Sequence, residues 1–276
     1  MSTLKWSLGA STCIVAGFCL GWISPEPTRI TFLSVGQGDC AVMQASGRTI
    51  LVDAGPVTPH FDAGERIVLP KLRELGVHRV DLILLSHPDM DHVGGTPALL
   101  RRFPDATVAM SAVFRRDPEM EKRLQTWGMP ASRITWLGPE SMGRLGTLTL
   151  RLSCPPRGAE ANDGSMFVRI GSGPAEAVLS GDAPEPVETR ESTIGDWSAQ
   201  VMKAGHHGSH TASGTTWLHT VHPKWVVVSC GRDNSYGHPH SDTLERITAA
   251  GAQIARTDRE GDISFEWRGE ELVRVP

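Results

Sequence analysis

The ten residues Ser86-His87-Pro88-Asp89-Met90-Asp91-His92-Val93-Gly94-Gly95 constrain this chain more than any other feature. Two histidines and two aspartates fall within six residues. They directly follow Val80-Asp81-Leu82-Ile83-Leu84-Leu85, a nearly continuous apolar run that reads as a buried strand. Imidazoles and carboxylates gathered at the end of a buried strand are costly to desolvate and repel or stay unsatisfied alone. A bound cation resolves that conflict, so the segment predicts a metal site.

The chain has 276 residues, enough for one domain with a sizeable core. A formal net charge of -4 excludes a whole-protein basic field for nucleic acid, though not a local basic patch. The N-terminus stands apart. Lys5 precedes Trp6 to Ile23, a span whose only polar side chains are Ser7, Ser11 and Thr12, and Pro25-Glu26-Pro27 then stops any helix. Residues 1–27 therefore read as a signal peptide or an uncleaved signal anchor, and residues 28–276 as one catalytic domain. Either reading places the protein outside the cytoplasm, periplasmic or secreted, with membrane attachment if the segment is retained. Cys40, Cys154 and Cys230 show no Cys-x-x-Cys spacing and read as buried small hydrophobes.

Strand and helix patterns alternate. Arg29 to Val35, Ala41 to Gln44 and Thr49 to Val52 read as an antiparallel meander with turns at 36–39 and 45–48. Val68, Leu72 and Leu75 follow helical spacing closed by Gly76, with Pro70 in the first turn. A helix is expected from Gly94 to Phe103, directly after the His/Asp cluster. Further strands are expected at 106–110, 133–137, 148–152, 166–170, 175–179, 199–203, 225–229, 253–256 and 263–267. Helices are expected at 118–127, 215–221 and 241–250. Strands and helices in two similar halves suggest two sheets back to back with helices outside. The six cationic residues Arg101, Arg102, Arg115, Arg116, Lys122 and Arg123 read as solvated surface.

Three more loops carry metal-type residues after an apolar strand. They are Ile50-Leu51-Val52-Asp53-Ala54-Gly55, Val178-Leu179-Ser180-Gly181-Asp182, and Val201-Met202-Lys203-Ala204-Gly205-His206-His207-Gly208-Ser209. A site on the carboxyl rim of a sheet needs this repetition. His87 and Asp89, two apart in an extended turn, can point the same way, whereas adjacent Asp91 and His92 should not. Ligands diverging in two directions suit two ions, and Asp182 is the natural bridge. Adjacent residues leaving a strand also diverge, so one of His206 and His207 is expected on metal, with His206 favoured.

These motifs, with Val35-Gly36-Gln37-Gly38-Asp39 and Asn234-Ser235-Tyr236-Gly237-His238-Pro239, resemble the metallo-β-lactamase superfamily. More narrowly they resemble the hydrolase domain of the ComEC/Rec2 competence family, over about 29 to 267. The resemblance implies a four-layer αββα sandwich with a dinuclear site at one edge. By motif matching it implies His87, Asp89 and His206 on one ion and Asp91, His92 and Asp182 on the second. Asp89 stands where the wider superfamily has His, a harder oxygen donor that favours Mn or Mg over strict Zn. The superfamily's further His is absent between 93 and 205. Asn162 or Asp163 could supply that contact or form a turn. Asp53, Asp39 and His207 are candidates for a place on metal or behind a ligand. His238 is the candidate proton donor, Tyr236 orients the leaving group, and Ser209 and Asn234 face substrate.

The expected activity is metal-dependent hydrolysis by metal-activated hydroxide, with two divalent ions, Mn or Zn and also Mg. Asp91 belongs to that machinery. The expected substrate is a phosphodiester, DNA above all. Acyl hydrolysis of a lactam or lactone, and a non-enzymatic DNA-binding module, are the other readings.

Overall fold

Apolar runs buried on both faces decide the architecture. The computed structural model describes residues 27–276 apart from Gly146, Arg157 and Ala159. The apolar segment expected to be a signal peptide or anchor lies outside the described residues; among them, no helix is long and apolar enough to cross a membrane.

In the first half, strands β1 (Arg29–Phe32), β2 (Ala41–Ala45) and β3 (Arg48–Val52) form the antiparallel meander. A small hairpin, β4 (Val57–Thr58) and β5 (Phe61–Asp62), follows. Next, β6 (Leu82–Leu85), β7 (Thr107–Ser111) and β8 (Ile134–Leu137) extend the sheet in parallel from β3. In the second half, β9 (Glu140–Leu145), β10 (Leu148–Ser153), β11 (Phe167–Ser172) and β12 (Ala175–Leu179) are antiparallel. Then β13 (Val201–Lys203), β14 (Trp225–Val228) and β15 (Gln253–Arg256) run parallel. The chain returns to the first sheet through β16 (Ile263–Arg268) and β17 (Glu271–Val275). The result is an eight-stranded sheet facing a seven-stranded one.

Phe32, Met43, Ile50 and Leu84 meet Leu150, Val168, Leu179 and Val201 between the sheets. The outer face of the first sheet packs under helices that include Leu69–Glu74, Thr96–Arg102 and Pro118–Thr126. The outer face of the second packs under Glu185–Glu191, Thr215–Val221 and Ser241–Ala249. Helices on both sides of two sheets make the expected αββα sandwich. Cys40, Cys154 and Cys230 are free and buried.

The differences from the sequence reading have physical causes. The helix expected from Gly94 begins at Thr96, and a separate one-turn helix, Met90–Val93, carries Asp91 and His92. The strands β9 and β17 lie at sheet edges, and Glu-Ser-Met-Gly-Arg-Leu has no apolar period to announce β9. The helix Glu185–Glu191 buries Val187, Glu188 and Glu191, so two glutamates stand where an apolar stripe would be read.

One of those glutamates has a measurable role. The buried Glu188 carboxylate accepts the Ser213 and Gly214 N–H groups at 3.0 and 2.9 Å and so closes the loop after His206-His207. Burial pushes its pKa up to about 7 despite those bonds. The folded state then holds the proton more tightly than the unfolded chain. Its contribution is full below the unfolded glutamate pKa and is lost as pH rises toward 7. Glu188→Gln is expected to cost about 1–3 kcal/mol, because its amide cannot accept both N–H groups. Urea midpoints measured from pH 5 to 7.5 should show the wild-type advantage narrowing as pH rises.

Candidate metal centre

The parallel strands place their carboxyl ends along one edge. Asp53 follows β3, Ser86 follows β6, Asp182 follows β12, His206 and His207 follow β13, and Ser229 follows β14. Close backbone approach makes this edge tight. A Cβ on Gly38 would meet the Asp91 carbonyl at 2.3 Å, and one on Gly95 the Ala54 carbonyl at 2.1 Å. The Gly36-Gln37-Gly38-Asp39 turn is thereby pressed onto the His/Asp cluster, where Asp39 N–H donates to the Asp91 carbonyl at 3.1 Å.

Three buried imidazoles share one design. His92 Nδ1 donates to Asp53 Oδ2 at 2.8 Å. Asp53 has φ 63, a strained left-handed backbone, and also accepts the Ser86 N–H at 2.8 Å and hydroxyl at 2.9 Å. With its own proton on Asp53, Ser86 Oγ accepts His87 Nδ1–H at 3.0 Å. His207 Nδ1 donates to the Ser229 carbonyl at 3.0 Å. Each ring therefore turns Nε2 inward, the orientation that carboxylate or carbonyl partners impose on metal-binding histidines. Each Nε2 then meets a carboxylate oxygen: His87 with Asp89 Oδ2 at 3.5 Å, His92 with Asp182 Oδ1 at 3.2 Å, and His207 with Asp91 Oδ2 at 3.2 Å.

With a cation bound, each imidazole would be neutral and its Nε2 lone pair would join those oxygens as a ligand. His87 Nε2, His92 Nε2 and Asp182 Oδ1 are buried and lack any hydrogen-bond partner of acceptable angle. Divalent cations satisfy such a donor set, and the residues present fit them. Asp39, His92, Asp182 and His207 bring one ligand-type atom each within 4.8 Å of one another. The field is strongly negative. Burial alone would lower His92, yet Asp182, Asp53 and Asp91 hold it well above the ordinary imidazole value. His207 is raised to about 9 against the same desolvation, by Asp182 and Asp39. Burial pushes Asp91 up, but His92 and His207 bring it down to about 2.

Asp182 is central. Its Oδ1 faces His92, and its Oδ2 lies 3.6 Å from His206 Nε2 and 3.5 Å from His207 Nε2. The expected divergence of the two neighbouring histidines does not occur. Left-handed backbones at both residues, φ 47 and φ 55, turn both rings onto that one oxygen. His207 is buried, and the His206 side chain is 30% exposed. Asp89 and Asp91 are the open side, with side chains 45% and 34% exposed.

Other expected residues serve the loops. The Asp163 carboxylate accepts the Glu160 N–H at 3.1 Å, and Asp163 is not part of the group formed by Asp39, His92, Asp182 and His207. Ser209 Oγ bonds Thr211 Oγ1 at 3.0 Å. Asn234 spends both ends on its own turn: Nδ2 donates to the Gly231 and His238 carbonyls, and Oδ1 accepts the Tyr236 and His238 N–H groups. Tyr236 is 65% exposed and stacks on His238, ring centroids 5.6 Å apart. His238 in turn lies 5.7 Å from the His206 ring.

Four contributors escaped the sequence reading. Lys203 is buried with its ammonium on Asp39 Oδ2, 3.2 Å from the Gly181 carbonyl and 3.9 Å from Asp182 Oδ1. Lysine at a strand end ordinarily reads as solvated. Arg123 donates to the Pro88 carbonyl and pins the cluster loop from a distant helix. Ser165 Oγ accepts the Asp182 N–H at 3.3 Å. Gln37 reaches His238 Nδ1 at 3.2 Å, a contact for which only the Gly-Gln-Gly-Asp turn gave any signal.

Residues 33–232 match the Lactamase_B family model, described as the metallo-beta-lactamase superfamily. The chain belongs to that superfamily. It is 26% identical over 257 residues to ComE operon protein 3 of Bacillus subtilis, which covers 87% of this chain. The chain spans about a third of that relative's length, 33%. Over 96 residues it is 30% identical to Ribonuclease J of Mycolicibacterium smegmatis, 32% of this chain and 17% of the other. The solved metallo-beta-lactamase fold protein YhfI of Bacillus subtilis is 12% identical, with a TM-score of 0.58 over 87% of this chain and 100% of that one. The ComEC-like character expected from the sequence motifs agrees with the first of these relatives. With the fold and the donor set, the superfamily makes this chain a metal-dependent hydrolase.

Proposed function

We propose that this protein hydrolyses phosphodiesters, DNA above all, at a site for two divalent ions, Mn or Zn with Mg also accommodated. One observation carries the reading: every buried Nε2 faces an aspartate oxygen at 3.2 to 3.5 Å. A donor set so rich in carboxylate suits hard ions and the charge that develops on a phosphoryl group. Similarity to Ribonuclease J, a nuclease by name, supports the same substrate class. An extracytoplasmic location belongs to the same proposal and rests on the apolar stretch at 6–23.

Residues His87, Asp89, Asp91, His92, Asp182, His206 and His207 would hold the ions, which acidify water and neutralise phosphoryl oxygens when bound. Asp53, Ser86 and the Ser229 carbonyl fix the imidazole tautomers. Asp89 and Asp91, on the open side, are placed to accept the proton of the attacking water.

His238 acts on the leaving side. Gln37 Oε1 accepts the Gly231 N–H at 3.1 Å, so the Gln37 amide nitrogen is what faces His238 Nδ1. Nδ1 must then accept, and the ring proton sits on Nε2. Burial, then the charges of His207, His206 and His240, lower the ring's pKa to about 4. His238 is thus a neutral Nε2–H donor at physiological pH, suited to a leaving oxygen. Gln37→Leu is expected to lower kcat by about 10–100-fold while metal content is unchanged. Nitrogen-15 NMR of the imidazoles should show His238 passing from the Nε2–H tautomer to a mixture.

The direct test is turnover of bis-p-nitrophenyl phosphate, single-stranded DNA and nitrocefin by protein loaded with Mn, Zn or Mg. Hydrolysis of the phosphodiesters is expected. Turnover of nitrocefin alone would overturn the assignment.

A further inference from the structure

His238 has a second neighbour besides the metal centre. A cavity of about 650 Å³ opens on the loop that carries it, within the ~300–1,000 Å³ range of small-ligand sites. Its wall includes His238, Arg232, Asp233, Arg256, Asp258 and Arg259. Arg256 binds the Asp258 carboxylate through two bonds, at 3.0 and 2.7 Å, and neutralises it. Arg232 donates Nε to the Asp258 carbonyl at 3.3 Å, which anchors its stem and leaves its charge unmatched. Arg232 and Arg259 are exposed and make no ion pair among the described residues. Against these two guanidinium groups the wall offers one further carboxylate, Asp233. The cavity is therefore locally positive in a chain of net charge -4.

The loop that carries His238 adds an independent observation. Tyr236 is the one aromatic among the large hydrophobic side chains exposed in the described residues. One of its faces lies on His238 with an interplanar angle of 24°. The turn beneath it is fixed by the four Asn234 hydrogen bonds, so an apolar ring is held in water in a set orientation. Flat rings so presented are platforms for unpaired bases, and guanidinium forks match phosphate oxygens.

We propose that this cavity binds the nucleotide next to the phosphodiester being cleaved, on a single-stranded stretch of nucleic acid. Arg232 and Arg259 take its phosphate, and Tyr236 stacks on an unpaired base. This subsite rests on the phosphodiesterase reading for its place in the reaction, but its binding can be measured without turnover. It accounts for an open charged cavity sharing His238 with the metal centre. It also gives a chain without a general basic field a way to hold a polyanion in one direction.

The experiment is fluorescence anisotropy of a labelled twelve-nucleotide oligo-dT with the full chain in EDTA, over a salt series. Arg232→Ala/Arg259→Ala is expected to weaken binding about tenfold and to reduce the slope of log affinity against log salt by about 0.7, the value for one single-strand phosphate contact. Tyr236→Leu is expected to weaken binding about fivefold or more with the slope unchanged. Far-ultraviolet circular dichroism and the urea midpoint of the arginine variant should match the wild type, which certifies its fold. Unchanged affinity and slope in the arginine variant, or no binding by the wild type, overturns the subsite. Binding that responds as stated, without cleavage of either phosphodiester, upholds the subsite and overturns the hydrolytic reading instead.

Discussion

Asp182→Asn should lower phosphodiester turnover by about 10³-fold or more, because it removes the carboxylate on which the site converges. Asp182 Oδ1 faces His92, and Oδ2 faces both His206 and His207. His92 and His207 reach it with Nδ1 already committed to Asp53 and to the Ser229 carbonyl, so neither ring can turn elsewhere. Asparagine keeps the shape but presents a neutral oxygen and an N–H₂. Metal per protein, measured by inductively coupled plasma mass spectrometry, should fall with activity while far-ultraviolet circular dichroism stays constant. A variant that keeps its metal and stays within about tenfold of wild-type turnover would remove Asp182 from the bridging role.

Lys203→Met should produce the largest loss of stability, about 3–5 kcal/mol, as expected when one partner of a buried pair is removed. The Lys203 ammonium sits on Asp39 and within 3.9 Å of Asp182, with both carboxylates buried. Burial pushes Asp39 up, but Lys203 and then His207 hold it below the ordinary carboxylate range. Methionine fills the volume and leaves that charge stranded. Urea denaturation in EDTA should show the loss, and Asp39→Asn in the same chain should recover most of it. If Asp39→Asn/Lys203→Met is no more stable than Lys203→Met, the two residues are not a pair in solution. Added Mn should narrow the deficit of the single variant, because an ion binding the folded site stabilises it by mass action.

Both predictions concern residues of different legibility. Asp182 could be read from Ser-Gly-Asp after an apolar strand, because three other strand-end loops repeat the same pattern. Lys203 could not, since one lysine in Val-Met-Lys reads as a strand end reaching water. Only the arrival of Asp39, 164 positions earlier, makes its burial possible. The same contrast separates the cluster from its supports. His87, Asp89, Asp91 and His92 are dense enough to be recognised singly. Gln37, Ser165 and Arg123 are ordinary polar residues whose roles exist only through contacts with His238, Asp182 and the Pro88 carbonyl. The strands most easily found were those buried on both faces, such as β6 and β14, where apolar runs are continuous. The edge strands β9 and β17 lack that pattern because one margin of each meets solvent.

By itself the sequence determined the two-sheet sandwich, the four strand-end loops that carry ligand-type residues, and the excess of oxygen donors marked by Asp89. The first two follow from local pattern, since burial dictates strand hydrophobicity and dense charge near a core demands a cation, and the weight of Asp89 follows from the family resemblance. The tertiary structure alone decided which nitrogen each histidine turns inward and that His206 and His207 meet one carboxylate. It also decided that Asp39 is answered by Lys203, and that a positively charged cavity opens beside His238. These are matters of direction and distance between residues far apart in the chain, and spacing along a sequence carries neither.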